Sequence, residues 1–189
     1  MAAELSSASV IDAASRLIAR GGDETVHWSQ IATEAGTQED DSTFGLFQNV
    51  PAIVDACYAR SAQTLEAALL NGETARGSGL DKLAAFLVCV LQMRRERGSL
   101  LPLRAGSEVP QSRQKRLRER DMMIRVRLRR LLTAGQRDGS IARRSIDCAC
   151  ELILATLQAR RVTADGPDQR MRDADLTEML LAAVAEPIR

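Results

Sequence analysis

Residues 10–36 read VIDAASRLIARGGDETVHWSQIATEAG, and the spacing of their apolar side chains decides the fold. Val10, Ile11, Ala14, Leu17 and Ile18 recur at i, i+1, i+4, i+7 and i+8, which marks one face of an α-helix over residues 9–20. Ser6 or Ser7 offers a hydroxyl to cap its start, and Gly21-Gly22 stops it. Trp28, Ile31, Ala32 and Ala35 then give a second, shorter helix over residues 28–35 that ends at Gly36. His27, just before Trp28, is expected to act as a local polar cap.

The same periodicity continues outward. Residues 40–47 form a third short segment with Phe44, Leu46 and Phe47 as its apolar set. Asn49 caps a long helix over residues 49–70, with Pro51 tolerated in its first turn. Residues 71–79 are rich in helix breakers and read as a loop. A helix over 80–97 carries Leu80, Leu83, Leu87, Val90, Leu91 and Arg94 in its inner stripe. An irregular stretch follows, with a short helical turn at 100–104. Pro110 opens a long helix to residue 137, with Leu117, Ile124, Leu128, Leu131 and Leu132 facing inward, and Asp138-Gly139 closes it. Ser145 caps a helix to about residue 161, and a last one covers 168–186. No strand-length alternation and no internal repeat interrupts this series. The expectation is an all-α chain of about nine helices, with a head over residues 1–50 and a core over residues 51–189.

Charge divides the chain at the same place. Residues 1–50 hold Arg16 and Arg20 against eight acids (Glu4, Asp12, Asp23, Glu24, Glu34, Glu39, Asp40 and Asp41), a balance of −6. The remainder carries +7, which leaves +1 for the whole. Ten of the basic residues sit in residues 110–137 beside only two acids. A nucleic-acid helix is one reading of that run. A solvated face is the other and is preferred, because the arginines fall largely outside the apolar stripe. A third option pairs this basic face with an acidic head, of a partner or of its own subunit.

Composition excludes several classes. Aromatic residues at 3% leave little surface for stacking single-stranded bases. The longest uncharged apolar run, residues 83–91, is far short of a membrane span, and the first residues lack the pattern of a secretory signal; cytoplasmic residence is expected. Cys57, Cys89, Cys148 and Cys150 include no Cys-x-x-Cys, and His27 is the one histidine, so neither a zinc site nor a disulfide framework is expected. Packing is the reading for all four cysteines, with a redox role for Cys148 and Cys150 as the alternative. No nucleophile elbow and no phosphate loop followed by Lys is present, so an enzyme has the least support and no cofactor is implied.

Three short helices followed by a long one resemble the tetracycline-repressor (TetR-type) family of transcriptional regulators. The residues that carry the likeness are Val10-Ile11-Asp12-Ala13-Ala14 with Leu17, Ile18 and Gly22, then Trp28, Gln30-Ile31-Ala32 and Ala35-Gly36, then Phe44, Phe47, Ala52-Ile53-Val54 and Ala56. Leu131-Leu132, Gly135 and Asp138-Gly139-Ser140-Ile141 agree more loosely. The resemblance implies a helix-turn-helix head whose third helix enters the DNA major groove, a core open to a small-molecule effector, and a homodimer made by the last two helices.

On that resemblance Gln38, Ser42 and Thr43 are the candidate DNA contacts, and Met93, Met122 and Met123 the candidate lining of an effector pocket. Leu152, Leu157, Met179, Leu180 and Val184 are the candidate dimer interface. The matching segment departs from the family, which commonly offers Lys, Tyr, His and Lys near the positions of Glu39, Phe44, Leu46 and Val50. An acid about 6 Å from a phosphate costs about 3 kcal/mol at an effective dielectric of about 20. The alternative partner is therefore a basic protein surface, bound through Glu39, Asp40 and Asp41 by charge complementarity.

Overall fold

The computed structural model describes residues 6–23, 26–36, 47–97, 101, 111–159 and 167–185. Among these residues there are seven helices: α1 (Ser7–Gly21), α2 (Trp28–Ala35), α3 (Val50–Thr74), α4 (Gly79–Arg97), α5 (Gln111–Asp138), α6 (Ile146–Ala159) and α7 (Pro167–Val184). No strand occurs among the described residues; a single bridge joins Ile141 to Ala185. The all-α expectation holds, with seven helices rather than about nine. The two further helices expected, at residues 40–47 and 100–104, fall on segments outside the described residues, apart from Phe47 and Leu101.

Local chemistry sets most boundaries. Ser6 is the N-cap of α1 and forms a reciprocal box with Ser9: each side-chain oxygen accepts the other's backbone N–H at 3.2 Å. The helix buries Val10, Ala13, Ala14 and Ile18 on one face. Gly36 ends α2 in the left-handed region (φ +72°), where its N–H reaches the carbonyls of Ala32 and Thr33. Asn49 caps α3, its Oδ1 accepting from the Ala52 N–H at 2.9 Å. His27 stands at the N-cap position of α2 with extended backbone, but its side chain makes no capping bond. The expected polar cap is corrected to backbone geometry alone.

The helix α3 runs four residues past its expected end. Gly72 is the reason: it is buried in the last turn, and a Cβ there would lie 2.8 Å from the Lys82 carbonyl oxygen and 2.9 Å from Phe86 Cβ. This glycine admits α4 rather than breaking α3. The start of α4 is built by residues far along the chain. Its Gly79 N–H donates to Asp138 Oδ2 at 2.6 Å, and its Leu80 N–H to Ser140 Oγ at 3.0 Å. A Cβ on Gly79 would fall on the Gly135 backbone, and one on Gly135 would meet the Ile141 side chain, so neither has room for a side chain.

The elements share one hydrophobic core, continuous from Val10 and Ile31 in the first two helices, through Leu65 and Leu69, to Leu128, Ile153 and Leu180. α3 lies against α1, α4 and α5; α5 also meets α4 and α6, and α7 lies on α4. Arg94 is buried in α4 and donates from Nη1 to the Leu157 carbonyl at 2.9 Å, joining α4 to α6. No helix among the described residues is long and apolar enough to cross a membrane.

Candidate nucleic-acid interface and its seam with the core

The residues expected to read DNA (Gln38, Ser42, Thr43) and those expected to bind a basic partner (Glu39, Asp40, Asp41) lie outside the described residues. What the structure shows is the platform that carries them. Ile31 and Ala32 of α2 are buried, with Trp28 half-buried beside them. Both arginines of the head converge on one acid of α2: Arg16 Nε is 2.7 Å from Glu34 Oε1, and Arg20 Nη2 bonds Glu34 Oε2. Burial raises the Glu34 carboxyl, but the two guanidinium groups outweigh it and hold it below the usual carboxylate range.

The other two described head acids face the core. Asp12 pairs with Arg60 of α3, whose Nη2 also donates to the Ile11 carbonyl at 3.2 Å and to Ser15 Oγ at 3.0 Å. Asp23, just after α1, accepts from the Tyr58 hydroxyl at 2.7 Å and lies 3.5 Å from Nη1 of Arg113 on α5. Arg113 is buried; its Nε bonds Asp55 of α3 and its Nη2 the Pro51 carbonyl at 3.2 Å. Burial, and then the bond to Asp23, pushes the Tyr58 phenol well above its ordinary range, so it remains a donor. Burial likewise raises the Cys57 thiol to about 11.

The charge asymmetry of the sequence thus has a structural meaning. All three described head acids are in ion pairs, and two of them fasten the head to cations of the core. The option of a basic helix meeting the acidic head of its own subunit is realised by Arg113 and Asp23. Much of the remaining basic run is paired too: Arg116 with Asp55 at 2.9 Å, Arg125 with Asp121 at 2.6 Å and with Glu151, Arg127 with Glu73 at 2.7 Å, and Arg129 with Asp147 at 2.7 Å. Sequence reasoning did not single out Arg60, Tyr58 or Asp55. The opposite signs of head and core were the available signal.

The three methionines are not brought together. Met93 is half-buried on α4 with its sulfur 3.8 Å from that of Cys89, while Met122 and Met123 are 67% and 60% exposed on α5. Met93 and Met123 therefore stand apart, Met123 lining an open cleft on α5. A groove of about 550 Å³ instead runs between α4 and α7, lined by Val88, Leu91, Thr177 and Leu181, with the Arg95–Asp173 ion pair (2.7 Å) on its wall.

The dimer set also divides. Leu157, Leu180 and Val184 are buried within the subunit, where they belong to its own core. Leu152 (47% exposed) and Met179 (70% exposed) stand outward on α6 and α7. Of the cysteines, Cys57 and Cys150 are buried and Cys89 is partly so, but Cys148 is exposed, against the expectation of packing for all four.

The chain matches no family model and no curated protein. Its fold has many solved counterparts. A ketosteroid transcriptional regulator of Mycobacterium tuberculosis is 15% identical, with a TM-score of 0.68 over 98% of this chain and 100% of that one. A TetR-family regulator from Agrobacterium tumefaciens is 17% identical, with a TM-score of 0.68 over 95% and 97%. AibR, solved with isovaleryl coenzyme A and operator DNA, is 15% identical, with a TM-score of 0.70 over 96% and 99%. At such identities the likeness is one of fold, and it runs from end to end: the chain is folded as TetR-family transcriptional regulators are.

Proposed function

We propose that this protein is a TetR-like transcriptional regulator of the repressor kind, a cytoplasmic homodimer that binds DNA through its head and answers to a small-molecule effector. It is read as a regulator, not an enzyme. The observation that carries this is the fold shared over nearly the whole chain with regulators, one of them solved with isovaleryl coenzyme A and operator DNA. Leu152 and Met179, exposed on the last two helices, support dimerisation through α6 and α7. The α4–α7 groove supports an effector with an apolar body and a polar end, since its volume lies in the ~300–1,000 Å³ range of small-ligand sites. A shift of α3 or α5 on effector binding would reach the head through Arg60–Asp12 and Arg113–Asp23, changing the spacing of two heads.

A second reading rests on the head's charge. Both of its arginines are engaged by Glu34, so neither meets a phosphate without giving up that pair. In this reading the head has lost its hold on DNA and docks on a basic protein surface through Glu39, Asp40 and Asp41. Fluorescence titration of a labelled duplex from the chain's own upstream region, at low salt, separates the two. Tight binding with a steep salt slope supports the DNA reader and sinks the interaction module. No binding, together with capture of a basic protein partner, supports the interaction module instead.

A further inference from the structure

Beside the seam between head and core, α5 turns three arginines toward α3. Arg113, Arg116 and Arg120 line an open cleft of about 460 Å³ opposite Asp55, Ala56, Tyr58 and Ala59. Arg116 and Arg120 are also the wall it shares with a second cleft of about 470 Å³, which Glu66, Glu119, Met123 and Arg127 complete. The first cleft has three guanidinium groups and a single lining carboxylate. Asp55 divides itself between Arg113 and Arg116, and Asp23 reaches Arg113 from the far side. Arg120 makes no ion pair among the described residues, although Glu66 and Glu119 line the second cleft together with it.

We propose that this cleft is a binding site for a small anion bearing phosphate or carboxylate groups, held by Arg116 and Arg120. Guanidinium groups present paired N–H donors in a plane, the geometry that oxyanions accept in bidentate fashion. The Arg116–Asp55 pair is half-exposed, and exposed pairs are held weakly, so a multiply charged anion displaces Asp55 from Arg116 at little cost. Arg113 is the buried backing of the site; it stays on Asp55, Asp23 and the Pro51 carbonyl and carries no ligand bond. Because Asp55 and Asp23 meet on Arg113, occupancy is felt at the root of the head. The site is separate from the α4–α7 groove and does not depend on whether the head binds DNA.

Calorimetric titration of the full chain at low salt, with inorganic pyrophosphate in one arm and citrate in another, tests this. Saturable binding at one site per chain is expected in at least one arm, with submillimolar affinity; the arm that binds identifies the anion's chemistry. Arg120→Gln, which breaks no ion pair among the described residues, is expected to weaken binding about tenfold, about what one charge-assisted contact contributes. Arg130→Gln, an exposed change elsewhere on α5, is expected to leave it within about twofold. Emission from Trp28, the chain's one tryptophan and part of the head, should shift on saturation in the parent and not in Arg120→Gln at the same concentration. Absence of saturation in both arms, an Arg120→Gln isotherm that matches the parent, or equal losses in both variants would overturn the site.

Discussion

Arg113 and Asp23 stand 90 residues apart in sequence and 3.5 Å apart in space, and their contact joins α5 to the end of the first helix of the head. The cation is buried and serves two carboxylates, Asp23 and Asp55, from different parts of the chain. Removing it leaves both acids short of a partner in a partly dry site, a loss that costs more than the pair itself contributes. Arg113→Met is therefore expected to destabilise the protein by about 2 kcal/mol after allowance for the exposure of Asp55. For a chain of this size that is about 4–8 °C in the thermal midpoint, read by circular dichroism. A midpoint within about 1 °C of the parent would show that the seam carries no stability.

The crossing of α4 and α5 predicts a steric effect. A methyl group at Gly79 would fall on the backbone of Gly135, which cannot rotate away. Gly79→Ala should cost about 3 kcal/mol, at the upper end of ordinary overpacking, whereas a helix interior would gain about 1 kcal/mol from the same change. Chemical denaturation measures the sign directly.

Much of the architecture was legible in the sequence, for physical reasons that differ by element. Ser6, Gly36 and Asn49 act on their nearest neighbours, so the beginnings and ends they set could be read from position alone. Gly72 could not, because its purpose is to make room for α4, and a breaker in sequence became a point of close approach in space. Leu157, Leu180 and Val184 were recognisable as buried, but periodicity does not say whether the cover comes from the same subunit or from a partner. The acids of the head were visible as charge, while their partners Arg60 and Arg113 depend on the way three helices meet.

Acid should weaken the fold in a defined window. The carboxyls of Glu34, Glu73, Asp81 and Asp138 are all held below their ordinary values. For Glu73 the first cause is the Arg127 bond, and for Asp138 the hydroxyl of Ser140. A depressed carboxyl gives its full stabilisation above the unfolded value, about 3.9–4.3, and loses it as pH falls through the folded value. Thermal midpoints should thus be level near pH 6 and drop below about pH 4. Glu73→Gln should show a shallower drop; an identical profile would count against the Arg127 pairing as its origin.

Thiol chemistry should sort the four cysteines by exposure. Cys148 is expected to react with an aromatic disulfide reagent at pH 8 within the mixing time of the native protein, and Cys89 more slowly. Cys57, buried and with its thiol raised to about 11, and Cys150, also buried and raised, should react only on unfolding. Rapid modification of Cys57 in the native state would mean that the α1–α3 packing opens readily.

Freeing the two head arginines should favour DNA. Glu34→Gln releases Arg16 and Arg20 from the acid that engages both of them. Affinity for duplex at low salt is expected to rise, and the logarithmic salt slope to steepen by up to about 2 if both reach phosphates. Filter binding across a salt series measures both.

The ion pair of Asp12 and Arg60 offers the most direct measurement of whether acids of the head are fastening charges. A double-mutant cycle with Asp12→Asn, Arg60→Gln and the two combined, followed by urea unfolding, isolates their mutual interaction. The predicted coupling is about 1 kcal/mol or more, since Arg60 is mostly shielded from water and also holds Ser15 and the Ile11 carbonyl. Strictly additive single effects would contradict the account.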